Sequence, residues 1–326
     1  MMRFGKLAQR FVLGILTAGA MSGGAAAQKG AAAQDAGCFR LQGQSLVTTA
    51  CDGGAIRAAA EKGQAYAQNQ AGLLSAIMTG DRPGDLDRAR GWFERAARKG
   101  YAPAQVNLAV LYLEGWGVTR NYGAALHWLT EASRQGSSRA DANLGILYMN
   151  GWGVRTDFAE ARKYLEHAAK ADDAGAQANL GYLYDGGLGL PQDYALAAHW
   201  YRESAEHGNA LGQNNLADLY LRGRGVPQDY AQAAYWFRKS AEQGNTGARI
   251  KLGFLLMNGL GCAKDLTAAY AWLSAASQAG DHRGDEYLAA AQRLLNQAQL
   301  AQARSAAASL AAGSDRAPAA ATWFRP

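Results

Sequence analysis

The sequence predicts an all-α solenoid of about six helix-turn-helix repeats, and three observations carry that expectation. One period of 36 residues runs through the middle of the chain, glycines return in pairs on that period, and the apolar residues between the glycines follow helical spacing. A single pair of helices cannot bury the apolar surface such a unit carries, whereas stacked neighbours bury it in one continuous core.

The period is visible in several residue types at once. Asn107, Asn143, Asn179 and Asn215 are each 36 residues apart, and the next step lands on Lys251. Leu108, Leu144, Leu180, Leu216 and Leu252 keep the same step, as do Gly115, Gly151, Gly187, Gly223 and Gly259, and Gly117, Gly153, Gly189, Gly225 and Gly261.

Within a unit, helix A of the second repeat is expected over 102–114, where Ala104, Leu108, Leu111 and Tyr112 fall on one face. Gly-x-Gly stops it, since glycine accepts positive φ. An Asp or Asn then stands at one fixed position (Asp85, Asn121, Asp157, Asp193, Asp229, Asp265), where an N-cap is worth about 1 kcal/mol. In the third unit Glu160 sits three residues after Asp157 and completes a capping-box pattern. Helix B follows, with the stripe Tyr122, Ala125, Trp128, Leu129 and Ala132. Large residues recur at Trp92, Tyr164, Trp200, Trp236 and Trp272, and alanine at Ala89, Ala125, Ala161, Ala197, Ala233 and Ala269, where close helix approach is expected. Helix B ends at Gly100, Gly136, Gly208, Gly244 and Gly280, with Asp172 the exception.

The ends depart from the pattern, as solenoid ends must. Residues 55–62 read as the tail of a helix B in an incomplete leading unit. The first full unit, about 64–99, has Gln70 in place of Asn and a divergent turn from Thr79 to Gly84. Beyond Gly280, helices at 283–295 and 297–311 are expected to cap the last unit, and 312–326 reads as a disordered tail. The resulting division is 1–27 signal peptide, 28–63 N-terminal segment and cap, 64–279 six repeats, 280–311 capping helices and 312–326 tail.

The pattern A-x-x-N-L-G-x-L-Y-x-x-G-x-G-V-x-x-D-Y-x-x-A-x-x-W, seen best from Ala176 to Trp200 and from Gly212 to Trp236, resembles the Sel-one-like repeat (SLR), a relative of the tetratricopeptide repeat. The resemblance covers about residues 64–279. It implies a right-handed superhelix of antiparallel helix pairs with a concave groove, and a binding or scaffolding role such as bacterial envelope signalling, assembly or host contact.

The amino terminus reads as a cleavable export signal. Arg3, Lys6 and Arg10 form a positive n-region, residues 11–20 are an apolar run too short to span a bilayer, and Ala25, Ala26 and Ala27 form a small-residue cleavage site. Cleavage is expected after Ala27, with Ala33 as second choice; the alternative is a buried first helix. Loss of residues 1–27 takes three of the six net positive charges, leaving +3. Without a cluster of Lys and Arg this excludes a phosphate-backbone surface, so no nucleic-acid partner is expected. No later segment reaches 18 apolar residues, so no membrane insertion is expected after cleavage, and the protein is placed in the periplasm or outside the cell. In that oxidising compartment Cys38 and Cys51 are expected to form a disulfide worth about 2–3 kcal/mol, the alternative being two free thiols.

The expected partner is another protein or peptide. Asn107, Asn143, Asn179 and Asn215 either line the groove and hydrogen-bond an extended peptide, as the resemblance implies, or satisfy backbone groups internally. One turn away, Val110, Ile146, Tyr182, Asp218 and Phe254 vary where the asparagines repeat. Tyr182, Asp218, Arg222 and Lys251 are therefore the candidates for specificity, the alternative being ordinary surface scatter. Trp116 and Trp152, each between two turn glycines, are a weaker candidate edge site if exposed; the alternative is that each ring folds back over its own turn. Val118, Val154, Leu190, Val226 and Cys262 are expected to plug the core.

No catalytic, cofactor or metal site is expected. His127, His167, His199, His207 and His282 form no i, i+4 pair, and neither Gly-x-x-x-x-Gly-Lys-Ser/Thr nor Gly-x-Ser-x-Gly occurs. The alternative function is a β-lactam- or cell-wall-peptide-acting enzyme, because a cysteine-rich secreted subgroup of the resembled family is linked to β-lactams. That subgroup carries a cysteine pair in each unit, whereas these repeats hold only Cys262, and no Ser-x-x-Lys occurs. A third possibility is a structural organiser that binds glycan or peptidoglycan.

Overall fold

The structure, a computed structural model, describes residues 39–42, 45–48, 53–77 and 84–314, with side chains over 53–76 and 86–310. It divides into two bodies, the first ending at Asp173 and the second beginning at Ala174. The first opens with an antiparallel pair, β1 (Phe39–Gln42) and β2 (Ser45–Thr48), in register Phe39 to Thr48. The repeat period gave no sign of these strands. Helices α1 (Gly53–Glu61), α2 (Ala65–Ile77), α3 (Gly84–Ala97), α4 (Ala102–Glu114), α5 (Tyr122–Ser133), α6 (Ser138–Asn150) and α7 (Phe158–Lys170) complete it. The second body holds α8 (Ala174–Gly186), α9 (Tyr194–Glu206), α10 (Ala210–Arg222), α11 (Tyr230–Glu242), α12 (Thr246–Asn258) and α13 (Leu266–Gln278). A 3-10 turn at His282–Gly284 leads to α14 (Asp285–Leu294) and α15 (Gln297–Ser314). The expected all-α repeat array is therefore present, as six helix pairs from α2 to α13. The last helix runs beyond the expected end at residue 311. Residues 1–38, 43–44, 49–52, 78–83 and 315–326 lie outside the described residues, and with them the expected export signal, Cys38, Cys51 and all but Gly84 of the expected divergent turn.

Each turn follows one construction. Gly115 caps α4 at φ +72°, and the Asn121 N–H then donates to the Tyr112 carbonyl at 2.9 Å. The same bond ties Asp157 to Tyr148, Asp193 to Tyr184, Asp229 to Tyr220 and Asp265 to Leu256. The cap side chain then accepts from the first turn of helix B, as Asn121 does from the Ala124 N–H at 2.9 Å. Because the cap residue's own N–H is already held by helix A, the reciprocal half of a capping box has no donor. Glu160 pairs with Lys163 instead, at 2.6 Å. Asp85 is not an N-cap, because α3 starts one residue earlier, at Gly84.

The second turn glycine is needed twice over. At Gly261 φ is +68°, and a Cβ there would stand 2.1 Å from the Tyr230 carbonyl carbon. Here the turn of one repeat lies against the first residue of helix B in the preceding repeat, and no side chain fits between them.

The deepest core row is one residue beyond the tryptophans. Phe93, Leu129, Leu165, Tyr201 and Phe237 are wholly buried and Leu273 is 1% exposed, whereas Trp92, Trp128, Tyr164, Trp200, Trp236 and Trp272 are half-buried. Full burial of such a side chain contributes about 1.5–3 kcal/mol. The alanine row from Ala89 to Ala269 is wholly buried, as close packing requires. At the carboxyl end, Tyr270, Ala291 and Ala303 form a small core with Leu288, Leu295 and Leu300, so α14 and α15 cover the face of α13.

Candidate functional site: the helix A faces

In the first body the asparagine row is occupied internally. Asn107 is 1% exposed; its amide Nδ2 donates to Asn69 Oδ1 at 2.8 Å, and its Oδ1 accepts from Arg139 Nη1 at 3.1 Å. Asn143 Nδ2 donates to the Arg139 carbonyl one turn back, at 2.8 Å. Burial draws the Arg139 guanidinium down to about 10, against the pull of Asp173, so it stays protonated at neutral pH. Asn107 is thus a bridge between neighbouring helices A and not a groove-lining contact.

In the second body the row opens onto charge. Asn179 is 7% exposed and so is no surface contact either, and Asn215 Oδ1 accepts from Asn214 Nδ2 at 2.9 Å. Lys251 stands where the second to fifth units carry asparagine. Its Nζ donates to Asp218 Oδ1 at 2.8 Å, while Arg222 Nε reaches Asp218 Oδ2 at 2.7 Å. Three of the residues singled out from the sequence therefore form one cluster, spanning α10 and α12. The fourth, Tyr182 on α8, is 36% exposed. Beyond Lys251, Phe254 meets Tyr287 edge-on with ring centres 5.5 Å apart.

A buried hydroxyl underlies this face. Tyr201 is wholly buried and donates to Asp185 Oδ2 at 3.4 Å. Burial first, and then the Asp185 charge, pushes the Tyr201 phenol well above its usual range, while a hydrogen bond from Asn215 opposes the shift. Burial also holds Asp185 above the usual carboxylate range. The Tyr201 hydrogen bond works against that, the Asp218 charge adds to it, and Arg224 and Arg222 oppose it.

The turn residues turn inward. Trp152 stacks on Tyr122 at 5.5 Å with planes 12° apart, and half-buried Trp116 packs with Leu86 on the core of the preceding pair. Each ring rests on the preceding repeat, so the exposed aromatic pair does not form. Arg224 takes the same place over the Tyr194 ring, at 5.3 Å. Val118, Val154, Leu190, Val226 and Cys262 are half-buried at the core margin and do not plug it. Burial pushes the Cys262 thiol up, and its Sγ lies 3.5 Å from the Leu260 carbonyl.

A second polar row went unnoticed in the sequence. Gln68, Gln105, Asp141, Gln177, Gln213 and Arg249 are all at most 4% exposed. Gln68, Gln105 and Gln213 donate to the Ala60, Ala97 and Ala205 carbonyls, and Arg249 Nε to that of Ala241, each in the last turn of the preceding helix B. Each of those carbonyls also accepts from the N–H of the glycine three residues on, so the side chain takes its second lone pair. Gln135, His207 and Gln243 then bond the side chains of Gln105, Gln177 and Gln213 from 30 residues further on. Asp141 accepts from the Ser133 hydroxyl and meets the His167 ring. The return of Gln105, Gln177 and Gln213 at the 36-residue period was the available signal.

Among the described residues no three His, Cys, Asp or Glu side chains are placed to hold a metal, and no helix is long and apolar enough to cross a membrane. The Sel1 repeat matches the chain six times, at residues 65–101, 102–137, 138–173, 174–209, 210–245 and 247–281. No curated protein matches the chain. Among solved structures, a Sel1 repeat protein from Oxalobacter formigenes is 31% identical over 72% of this chain and 68% of its own, with a TM-score of 0.64. A protective antigen of uropathogenic Escherichia coli with an SLR fold is 26% identical over 82% of this chain and 72% of its own, with a TM-score of 0.46. An immunity protein from Pseudomonas aeruginosa is 22% identical over 68% of this chain and 84% of its own, with a TM-score of 0.45.

Proposed function

This chain belongs to the Sel1-repeat family, and on that premise we propose that it is an exported scaffold whose helix A face from Tyr182 to Phe254 binds an extended segment of a partner protein. Repeats of this kind are in general protein-interaction scaffolds. The observation that carries the finer reading is the Asp218–Arg222–Lys251 cluster. The packing frame around it repeats from unit to unit, yet at Lys251 the asparagine is replaced by a cation, and Asp218 stands where other units have Val110, Ile146, Tyr182 and Phe254. Variation within a fixed frame is what a recognition surface would show. Tyr182 holds the position of Asp218 one repeat earlier and is 36% exposed, which suits a segment carrying both polar and apolar side chains.

Export to the periplasm or beyond rests on the charged n-region, short apolar run and Ala25–Ala27 of the amino terminus. Such a location fits a role in envelope signalling or assembly. The test is affinity capture from crosslinked cell envelopes, with the chain from Gln28 as bait and a Tyr182→Ala, Lys251→Glu double variant as control. A partner retained by the parent and lost from the folded variant is the expected result. A partner held equally by the two removes this face from the interface, and failure to hold any partner removes the scaffold reading.

A further inference from the structure

A second feature lies far from that face in the chain, at the amino-terminal end of the array. Helices α1 and α3 flank an open cleft of about 390 Å³ lined by Arg57, Glu61, Arg88, Gly91, Trp92 and Arg95. Trp92 is fixed there, because its ring packs on the small core of Ala60, Ala67 and Ala71. The Arg95 guanidinium lies over that ring, 4.8 Å from its centre. On the same helix Arg90 is neutralised by Asp87 and Glu94. Among the described residues, Arg57, Arg88 and Arg95 have no carboxylate of that kind.

The repeats act as the cleft's own control. At the position of Arg88 the later units carry Ala124, Glu160, Leu196, Gln232 and Ala268, and at that of Arg95 they carry Glu131, His167, Glu203, Lys239 and Ala275. Packing of helix B therefore needs arginine at neither. The position of Gly91 carries His127, Lys163, His199, Tyr235 and Ala271 elsewhere, and a Cβ on Gly91 would meet nothing within 4 Å. Glycine here serves no close backbone approach; it leaves the cleft floor open. Three arginines less Glu61 give the lining two positive charges. That is the complement of a phosphate monoester, which carries close to two negative charges at neutral pH and offers three acceptor oxygens. Planar guanidinium groups grip such oxygens in pairs.

We propose that this cleft is a binding site for a phosphate monoester, presented on a small soluble molecule or on a lipid headgroup. The test uses the full chain from Gln28 and two probes, glycerol phosphate by calorimetry and phosphatidic acid vesicles by sedimentation, with phosphatidylcholine vesicles as blank. The binding variant is Arg57→Gln with Arg88→Gln, whose exposed side chains leave the core intact, and the control is Arg134→Gln, just past the end of α5. Saturable glycerol phosphate binding that weakens about tenfold or more in the double variant, and stays within about twofold in the control, supports a soluble ester. Binding confined to phosphatidic acid vesicles, with the same dependence on the two arginines, supports a headgroup. Binding to neither probe, or binding that the double variant leaves unchanged, overturns the proposal.

Discussion

Lys251 Nζ lies 2.8 Å from Asp218 Oδ1, joining two helices A across 33 residues of sequence. The same carboxylate holds Arg222, so Asp218 is the one anion between two cations. Asp218→Asn leaves Arg222 and Lys251 facing each other without it. Since these side chains are 24% to 52% exposed, solvent screens the effect. A double-mutant cycle of Asp218→Asn with Lys251→Met, read by urea unfolding, is expected to give a coupling of about 0.5–1 kcal/mol. Raising the salt concentration should shrink it.

Two carboxylates should give opposite pH signatures. Asp185 is held above the usual range by burial and by the Asp218 charge, so the folded state favours its protonated form. That contribution is present in acid and is lost as pH rises through the raised value, so ionised Asp185 is a cost at neutral pH. Asp281 is held well below the usual range, chiefly by its hydrogen bonds from Arg283. Its contribution is present at neutral pH and is lost only as strong acid protonates it. Asp185→Asn is therefore expected to raise the urea midpoint at pH 7 and to flatten its change toward mild acid. Asp281→Asn should lower the midpoint at pH 7. The same sign from the two variants would contradict this account.

Much of this architecture was legible because repetition of a letter and repetition of a place coincide at the turns. The Asp and Asn caps and the paired glycines recur as identities, and α4 begins and ends where the spacing put it. The core row was read only at Leu129, for the opposite reason. Phe93, Leu129, Tyr201 and Phe237 share a place but no single letter, so the recurring Trp beside them stood out instead. The asparagines repeat as a letter while doing different things: Asn107 is a buried bridge, whereas Asn143 only returns to its own helix. The charged cluster was legible as separate residues; that Asp218 joins Arg222 to Lys251 depends on how α10 meets α12.

The overlooked polar row should matter more to stability than the asparagines. Gln213 donates to the Ala205 carbonyl at 3.1 Å and accepts from Gln243 at 2.7 Å, in a buried setting. Gln213→Leu removes one of the two bonds on the Ala205 carbonyl, which keeps the Gly208 N–H, and takes the acceptor from Gln243, so a cost of about 0.5–1.5 kcal/mol is expected. Asn143→Ala loses only a bond to its own helix and gains helix propensity, so its change should stay within about 0.5 kcal/mol. Urea unfolding of the two variants decides which row holds the array together.

Glycines of similar φ should differ in tolerance because their surroundings differ. Gly261 at +68° has the Tyr230 carbonyl 2.1 Å from where a Cβ would stand, whereas Gly100 at +80° has nothing within 4 Å. Gly100→Ala meets only the left-handed backbone penalty, about 1–2 kcal/mol. Gly261→Ala must also push two repeats apart, and a loss beyond about 3 kcal/mol is expected, read by the denaturation midpoint.

Asp172 offers the converse test. It holds φ +60° at the end of α7, where the other units end helix B with glycines such as Gly136 at +81° and Gly208 at +83°. Its side chain is exposed, and its N–H bonds the Ala169 carbonyl at 3.1 Å, a contact that any residue could make. The side chain therefore adds strain there without a compensating packed contact. Aspartate tolerates the left-handed region better than most residues, and glycine loses more freedom on folding, so the two effects partly offset. Asp172→Gly is expected to stabilise the chain by about 0.5 kcal/mol, and Gly208→Asp to destabilise it by about 0.5–1 kcal/mol. Measured together by urea unfolding, opposite signs would establish that backbone conformation governs this position; a loss in Asp172→Gly would mean that its carboxylate contributes something beyond the turn.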